Sequence, residues 1–250
     1  MEKEKIKKIV KEGYSNIAKS DECCCSCSCK AKKEMENEIA RQIGYSDDEI
    51  KLVPGANMGL GCGNPLALAK LKEGDSVLDL GSGAGFDCFI ASRKVGKTGR
   101  VTGIDMTEEM IEKAKENARK HKIGNVEFVL GDIEELPFPE NRFDAIISNC
   151  VINLAPDKLK VFKEAYRVLK KGGKMYVSDI VLLKELDEEK KNNPYLLTGC
   201  VAGALLKNDY LSLIRKAGFK VSILGEDKEI SKKQYNGIPL ESLKIEAVKN

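Results

Sequence analysis

The chain has no tryptophan and a single histidine, His121. One histidine excludes a His-rich zinc centre and a Ser–His or Cys–His dyad built around several candidate bases. Long apolar runs are missing as well: nothing approaches the roughly 18 consecutive apolar residues of a membrane span. The first residues, Met1-Glu2-Lys3-Glu4-Lys5, carry none of the apolar stretch of a signal peptide, so a cytoplasmic protein is expected. An excess of one charge is also absent. The 42 basic and 39 acidic residues leave a formal charge of +3. That mixed surface has no electrostatic footprint for nucleic acid.

What the chain does have is thiols. Nine cysteines in 250 residues are unlike a disulfide framework in a reducing compartment, and metal, metalloid or redox chemistry is read first. An apolar fraction of 42% fills the core of one large α/β domain with elaborations at its ends.

Along the chain, Ile6, Ile9, Val10, Tyr14 and Ile17 have the spacing of an amphipathic helix face over 2–19. The thiol cluster Cys23-Cys24-Cys25-Ser26-Cys27-Ser28-Cys29 follows, then a helix over 31–43 stopped at Gly44. Residues 52–65 are dense in Gly, Pro and Asn and predict a loop with special backbone demands, followed by a helix over 66–72. From residue 75 strands alternate with helices. Strands are expected at 76–80, 100–105, 126–130, 143–148 and 174–180, with helices at 85–95, 107–121 (Thr107 as its N-cap) and 156–170. Helices at 195–205 and 207–217 and strands at 220–225 and 243–248 complete the reading. Such alternation gives a parallel sheet covered by helices on both faces. Three regions are expected: a helical cap over 1–50, a nucleotide-binding core over 51–181, and a C-terminal segment over 182–250.

The loop Asp79-Leu80-Gly81-Ser82-Gly83-Ala84-Gly85 sits directly after a hydrophobic strand and before a helix. Glycines there let the backbone turn tightly and approach a ligand. Asp79 is placed to accept from a cationic amine. Asp105, about 20 residues on, ends the second strand where an acid pairs with ribose hydroxyls. Asp132 follows the third strand, placed to accept from an adenine amino group with Ile133 against the ring, and Asn149 follows the fourth. Each acid alone could be a loop cap; together, at the carboxyl ends of successive strands, they mark a cofactor crevice.

At these residues the chain resembles the class I S-adenosylmethionine-dependent methyltransferases, from about residue 50 to 225. The resemblance implies an α/β fold with a doubly wound, mostly parallel seven-stranded sheet whose last strand is antiparallel. It also implies S-adenosyl-L-methionine held by Asp79, Gly81, Ser82, Gly83, Gly85, Asp105, Met106, Asp132, Ile133 and Asn149. The segments Gly59-Leu60-Gly61-Cys62-Gly63-Asn64-Pro65, Gly81 to Cys88, Ser148 to Leu154, and Thr198-Gly199-Cys200 are similar to those of arsenite methyltransferases. That family implies methyl transfer to trivalent arsenic held by Cys62, Cys150 and Cys200, with arsenite and methylated arsenicals as substrates. It further implies a thiol reductant of thioredoxin or glutathione type, and the chain is expected to be monomeric. The family's upstream disulfide-exchange cysteine has no single counterpart, since the 23–29 cluster offers five.

Soft trivalent arsenic selects thiolates, and thiols with an ordinary pKa near 8.5 are expected to release protons on binding it. Cys88 is expected to be a small buried hydrophobe, and His121 to be solvated. The 23–29 cluster is read as a thiol relay or capture site over a neutral tail. Two other functions stay open: a carbon or oxygen methyltransferase of the quinone-biosynthesis type, which leaves Cys62, Cys150 and Cys200 unexplained, and a non-enzymatic metalloid sensor, which has no use for Asp105 or Asp132.

Overall fold

Short apolar runs with β-branched residues form the strands: β1 (Ser76–Leu80), β2 (Arg100–Asp105), β3 (Val126–Leu130), β4 (Phe143–Asn149), β5 (Leu169–Leu182), β6 (Lys220–Asp227) and β7 (Leu240–Val248). In a computed structural model of the chain, which describes residues 2–20 and 26–250 (26–29 by backbone alone), they make one seven-stranded sheet of order β3-β2-β1-β4-β5-β7-β6. β1 to β5 are parallel, and β7 runs antiparallel to both β5 and β6. The doubly wound sheet expected from the sequence is the one that forms.

Helices cover both faces: α1 (Lys3–Lys19), α2 (Ser26–Gln42), α3 (Asp47–Leu52), α4 (Phe86–Val95), α5 (Glu108–Lys120), α6 (Lys158–Val168), α7 (Glu188–Lys191), α8 (Pro194–Thr198), α9 (Lys207–Lys216) and α10 (Ile230–Gln234). The two-residue alternation of a strand divides β1 between them. Leu78 and Leu80 pack with Phe162 and Ala165 of α6 and Tyr210 of α9, while Val77 packs with Phe89 and Ala91 of α4. Each such leucine, fully buried, contributes about 1.5–3 kcal/mol. Among the described residues no helix is long and apolar enough to cross a membrane.

Four local expectations are corrected. Residues 66–72 form only a 3-10 turn, Pro65–Ala67, capped by Asn64. Leu66 is fully buried but Leu68 is 40% exposed, so there is no apolar stripe to hold a helix against the core. Residues 195–205 do not make one helix: α8 ends at Gly199, and Cys200 (φ +64°) turns the chain away. Thr107 stands at the start of α5 but its hydroxyl makes no capping bond; its N–H instead donates to Asp105 Oδ1 at 2.9 Å. The helix expected over 156–170 stops at Val168, and Leu169 and Lys170 already belong to β5. Cys23, Cys24 and Cys25 and the side chains of Cys27 and Cys29 lie outside the described residues.

Candidate active site

Parallel register brings the strand ends together. Leu80 pairs with Ile104 and Ser148, Asp105 with Leu130, and Asn149 with Ser178. Gly81, Met106, Gly131 and Cys150, each the first residue past its strand, therefore open into one crevice, which is the usual binding place of open α/β sheets. The glycine loop is tied to the next strand: the N–H groups of Gly81 and Ser82 donate to Ile104 O at 2.8 and 3.0 Å. Gly81 has φ +69°, and a Cβ there would meet Val151 Cγ2 at 2.3 Å, so no larger residue makes this turn.

Two buried carboxylates, Asp79 and Asp87, lie at the base of the crevice. Asp87 accepts from Tyr45 OH at 2.6 Å and from Asn149 Nδ2 at 3.2 Å. Asp79 accepts from the Cys88 thiol at 3.2 Å. Burial and the neighbouring Asp87 push Asp79 well above the usual carboxylate range. Burial pushes Asp87 up to about 6 against the pull of its Tyr45 and Asn149 hydrogen bonds. Neither has an ion-pair partner among the described residues. A cationic ligand group would satisfy both.

Asp105 accepts from Gly83 N at 3.0 Å and Thr107 N at 2.9 Å, and burial raises its pKa. Asp132 accepts from Glu134 N at 2.8 Å and pairs with Lys7 of α1 at 2.6 Å; Lys7 also reaches Glu134 at 2.7 Å. Ile133 lines the wall beside it. Ser82 lines the crevice, yet its hydroxyl lies under the loop, against the Gly103 position, without a hydrogen-bond partner. Gly85 sits behind the wall, packed against Phe89 and Phe128. Asn149 is held by protein at both amide ends. Its Nδ2 donates to Tyr45 OH at 2.9 Å and Gly63 O at 2.8 Å, and its Oδ1 accepts from Cys62 N at 3.2 Å.

That asparagine joins the crevice to a thiol pocket. The loop carrying Cys62 comes down onto β5, where a Cβ on Gly63 would meet Ser178 Cβ at 2.7 Å, an approach only glycine permits. Cys62 Sγ reaches Ser178 O at 3.6 Å, and Cys150 N donates to the same carbonyl at 2.9 Å. Cys200 Sγ donates to Cys150 O at 2.7 Å. The sulfurs of Cys62 and Cys150 and a carboxylate oxygen of Asp179 all lie within 4.8 Å of one another. Cys200 Sγ, hydrogen-bonded to Cys150 O, lies outside that mutual set; all three cysteines are buried and free. Burial raises the thiol pKa of Cys62 and raises that of Cys150 well above normal. Cys200 also stands well above normal, first through its hydrogen bond with Cys150 and then through burial. Cys150 and Cys200 have φ of +58° and +64°, a left-handed backbone that costs a non-glycine residue about 1–2 kcal/mol. Such strain concentrates at sites where an unusual side-chain direction is needed.

Sequence reasoning missed five residues here. Tyr45 and Asp87 form the acid base of the crevice. Lys7 and Tyr14 approach from α1, Tyr14 OH donating to Thr198 O at 3.3 Å. Asp179 stands among the thiols, its pKa pushed up to about 7 by burial. A signal existed for two: Asp87 lies inside the Gly85-Phe86-Asp87-Cys88 segment, and Asp179 interrupts an otherwise apolar strand end. Cys88, expected to be a plain hydrophobe, is buried but donates to Asp79.

Residues 71–218 match the methyltransferase domain family model. The chain is 44% identical to an arsenite methyltransferase of Halobacterium salinarum, over 90% of this chain and 60% of that protein. It is 45% identical to an arsenite methyltransferase of Mus musculus, over 64% of this chain and 44% of that one. The crystal structure of an arsenic(III) S-adenosylmethionine methyltransferase from Chlamydomonas reinhardtii superposes with a TM-score of 0.67 at 35% identity, covering 84% of this chain and 73% of that chain. The chain thus spans 60% or less of the length of these two curated relatives. Its strand-end crevice, its thiol pocket and these likenesses place the chain in the arsenite methyltransferase family of S-adenosylmethionine-dependent methyltransferases.

Proposed function

We propose that the chain transfers methyl groups from S-adenosyl-L-methionine to trivalent arsenic held by the thiolates of Cys62, Cys150 and Cys200. The observation that carries this reading is the place of Cys150: its residue lines the crevice and its sulfur belongs to the thiol pocket. The donor would supply an electrophilic methyl carbon on a sulfonium. Its ammonium group fits the unpaired Asp79 and Asp87, its ribose Asp105, and its adenine Asp132 and Ile133, with the backbone of Gly81, Ser82 and Gly83, together with Met106, along its length. Asn149 positions both sides, and Gly85 supports the loop by packing.

The chain's residues then have limited chemistry to do. Three thiolates hold arsenic as a pyramid with its lone pair free, and that lone pair forms the As–C bond as the C–S electron pair leaves on sulfur. Arsenic carries no proton to remove, so no general base is needed; positioning and exclusion of water supply the catalysis. Arsenic is formally oxidised by two electrons in that step. Regenerating a trivalent product takes two electrons from thiols, here assigned to a thioredoxin- or glutathione-type reductant. Proton release on binding, expected from the thiols alone, does not survive the balance: arsenic trihydroxide takes each thiol proton away with its hydroxide as water.

One tube tests the proposal. Adding arsenite to the reduced chain should raise the ultraviolet arsenic–thiolate band, and S-adenosylmethionine should then be consumed with methylated arsenic as product. A band without consumption would leave a metalloid binder; consumption without arsenic would leave a methyltransferase for another acceptor.

A further inference from the structure

The thiol pocket contains a donor that methyl transfer to arsenic does not use. Asp179, on β5, is fully buried, and no other trio of His, Cys, Asp or Glu donors converges among the described residues as it does with Cys62 and Cys150. Arsenic bound by three thiolates keeps a lone pair in its fourth direction and has no need of a carboxylate. A divalent d10 cation differs: it takes four ligands in a tetrahedron and accepts thiolate and carboxylate together. We propose that Cys62, Cys150 and Asp179 form a binding site for a thiophilic divalent cation, Zn2+ or Cd2+, completed by Cys200 or water and competing with arsenic for the same sulfurs. This site goes beyond the methyl-transfer reading; only its competition with arsenic rests on that reading's thiolate site.

Geometry and charge both suit such an ion. Zn–S bonds near 2.3 Å and Zn–O bonds near 2.0 Å set tetrahedral edges of about 3.8 Å between sulfurs and about 3.5 Å from sulfur to oxygen, so the trio, all within 4.8 Å, needs to draw in by about 1.3 Å at most; a larger cation needs less. Asp179 is already oriented. Its Oδ1 accepts from Asn153 Nδ2 at 2.8 Å and Ile180 N at 3.0 Å, and its Oδ2 accepts from Tyr210 OH at 2.9 Å. A carboxylate has about four acceptor positions, which leaves one for a cation. Outer partners of this kind fix a metal ligand's direction. Two thiolates and one carboxylate around a dication leave a single negative charge. A basic side chain, Lys158, is buried behind the same asparagine, its Nζ donating to Asn153 O at 3.2 Å and Ala155 O at 3.0 Å.

The probe is Cd2+, titrated into the reduced full chain with Cys23, Cys24, Cys25, Cys27 and Cys29 all replaced by serine, which leaves four of the nine thiols. One equivalent is expected to raise a sulfur-to-cadmium ultraviolet band, and arsenite is expected to displace it one for one. Asp179→Asn should weaken Cd2+ about tenfold or more, while changing arsenite affinity far less. X-ray absorption at the cadmium edge, on the same five-serine chain with Asp179 kept, should find oxygen beside sulfur in the coordination shell, and it does not require Asp179→Asn to fold. A sulfur-only shell or an unchanged Cd2+ affinity in Asp179→Asn would each overturn the cation site; bound Cd2+ that arsenite cannot displace, in a chain that shows the arsenite–thiolate band when free of Cd2+, would overturn the competition. None of these measurements involves methyl transfer, so they stand or fall apart from it.

Discussion

The glycine-loop half of the crevice and the thiol half are built by different means. In the first, Asp79, Gly81, Asp105, Asp132 and Asn149 all lie at the ends of successive parallel strands, and the register alone aligns them. In the second, Cys62 arrives on a loop, Cys150 on a left-handed turn after β4, and Cys200 on another left-handed turn after α8. Regular secondary structure places the acids. Close backbone approach and local strain place the sulfurs. The first half is a property of the fold that many chemistries can share, whereas the second, on the function proposed above, is what would select the acceptor.

The sharpest way to separate the halves is to remove the atom at their border. Cys150→Ser should lower arsenic methylation about 100-fold or more, the scale expected when a reacting ligand is lost outright, while the donor's dissociation constant by calorimetry moves little. Full activity by product speciation would sink the thiolate mechanism. The converse change is smaller. Asp105→Ala removes an acceptor for charged or neutral hydrogen bonds, a loss of about 1.5–3 kcal/mol or roughly 10–150-fold in donor affinity, and it should leave the arsenite–thiolate band intact. An unchanged donor constant would count against the ribose assignment.

The same contrast explains what the sequence made legible. The order of strands and helices followed from apolar periodicity, and the acids followed from their offsets past each strand. Cys150 stands out by its place directly after Asn149 at a strand end, but position alone leaves the three thiols undecided and the family resemblance names the set, because their spacing of 88 and 50 residues carries no local signal of convergence. The errors fall where tertiary contacts overrule local preference. Leu66-Ala67-Leu68-Ala69 has good helix formers yet makes a single turn, and a helix spanning Cys200 is cut short where the chain packs close to Asn153: a Cβ on Gly203 would sit 2.1 Å from its carbonyl oxygen. Asp87 and Asp179 were passed over because buried acids look unfavourable in sequence, and their raised pKa values record that cost.

A pH titration sharpens the nucleotide half on its own. Asp87, at about 6 in the folded chain, sits above its unfolded value near 3.9. The native state therefore holds the proton more tightly, and the contribution of Asp87 to the stability of the donor-free chain should be lost as pH rises from about 4 to about 6, while Asp79 and Asp179, raised as well, extend the fall to higher pH. A ligand ammonium prefers the ionised carboxylate, so donor affinity should rise about tenfold between pH 5 and 7 over the same titration. Asp87→Asn should remove its share of both profiles and leave the shallower slope of the other buried acids. A melting temperature independent of pH across that window in the parent chain would contradict the burial argument.

The smallest effect concerns α1, which touches both halves: Lys7 pairs with Asp132 and Glu134, and Tyr14 OH donates to Thr198 O beside the Cys200 turn. Lys7 occupies an oxygen of Asp132 that an adenine amino group would also use. Its ion pairs are only partly shielded, with 23% of the lysine side chain exposed, and pairs of that kind contribute about 1 kcal/mol or less. Lys7→Met should therefore change donor affinity by about fivefold at most. Its direction is informative: tighter binding means that Lys7 competes for Asp132, and weaker binding means that it holds α1 closed over the donor. Arsenite affinity, read from the charge-transfer band, should stay within about twofold, because Lys7 and Tyr14 lie two helical turns apart and Tyr14 keeps its own partner. A matched shift in both affinities would mean that α1 ties the two halves together, and their separate construction would no longer imply separate behaviour.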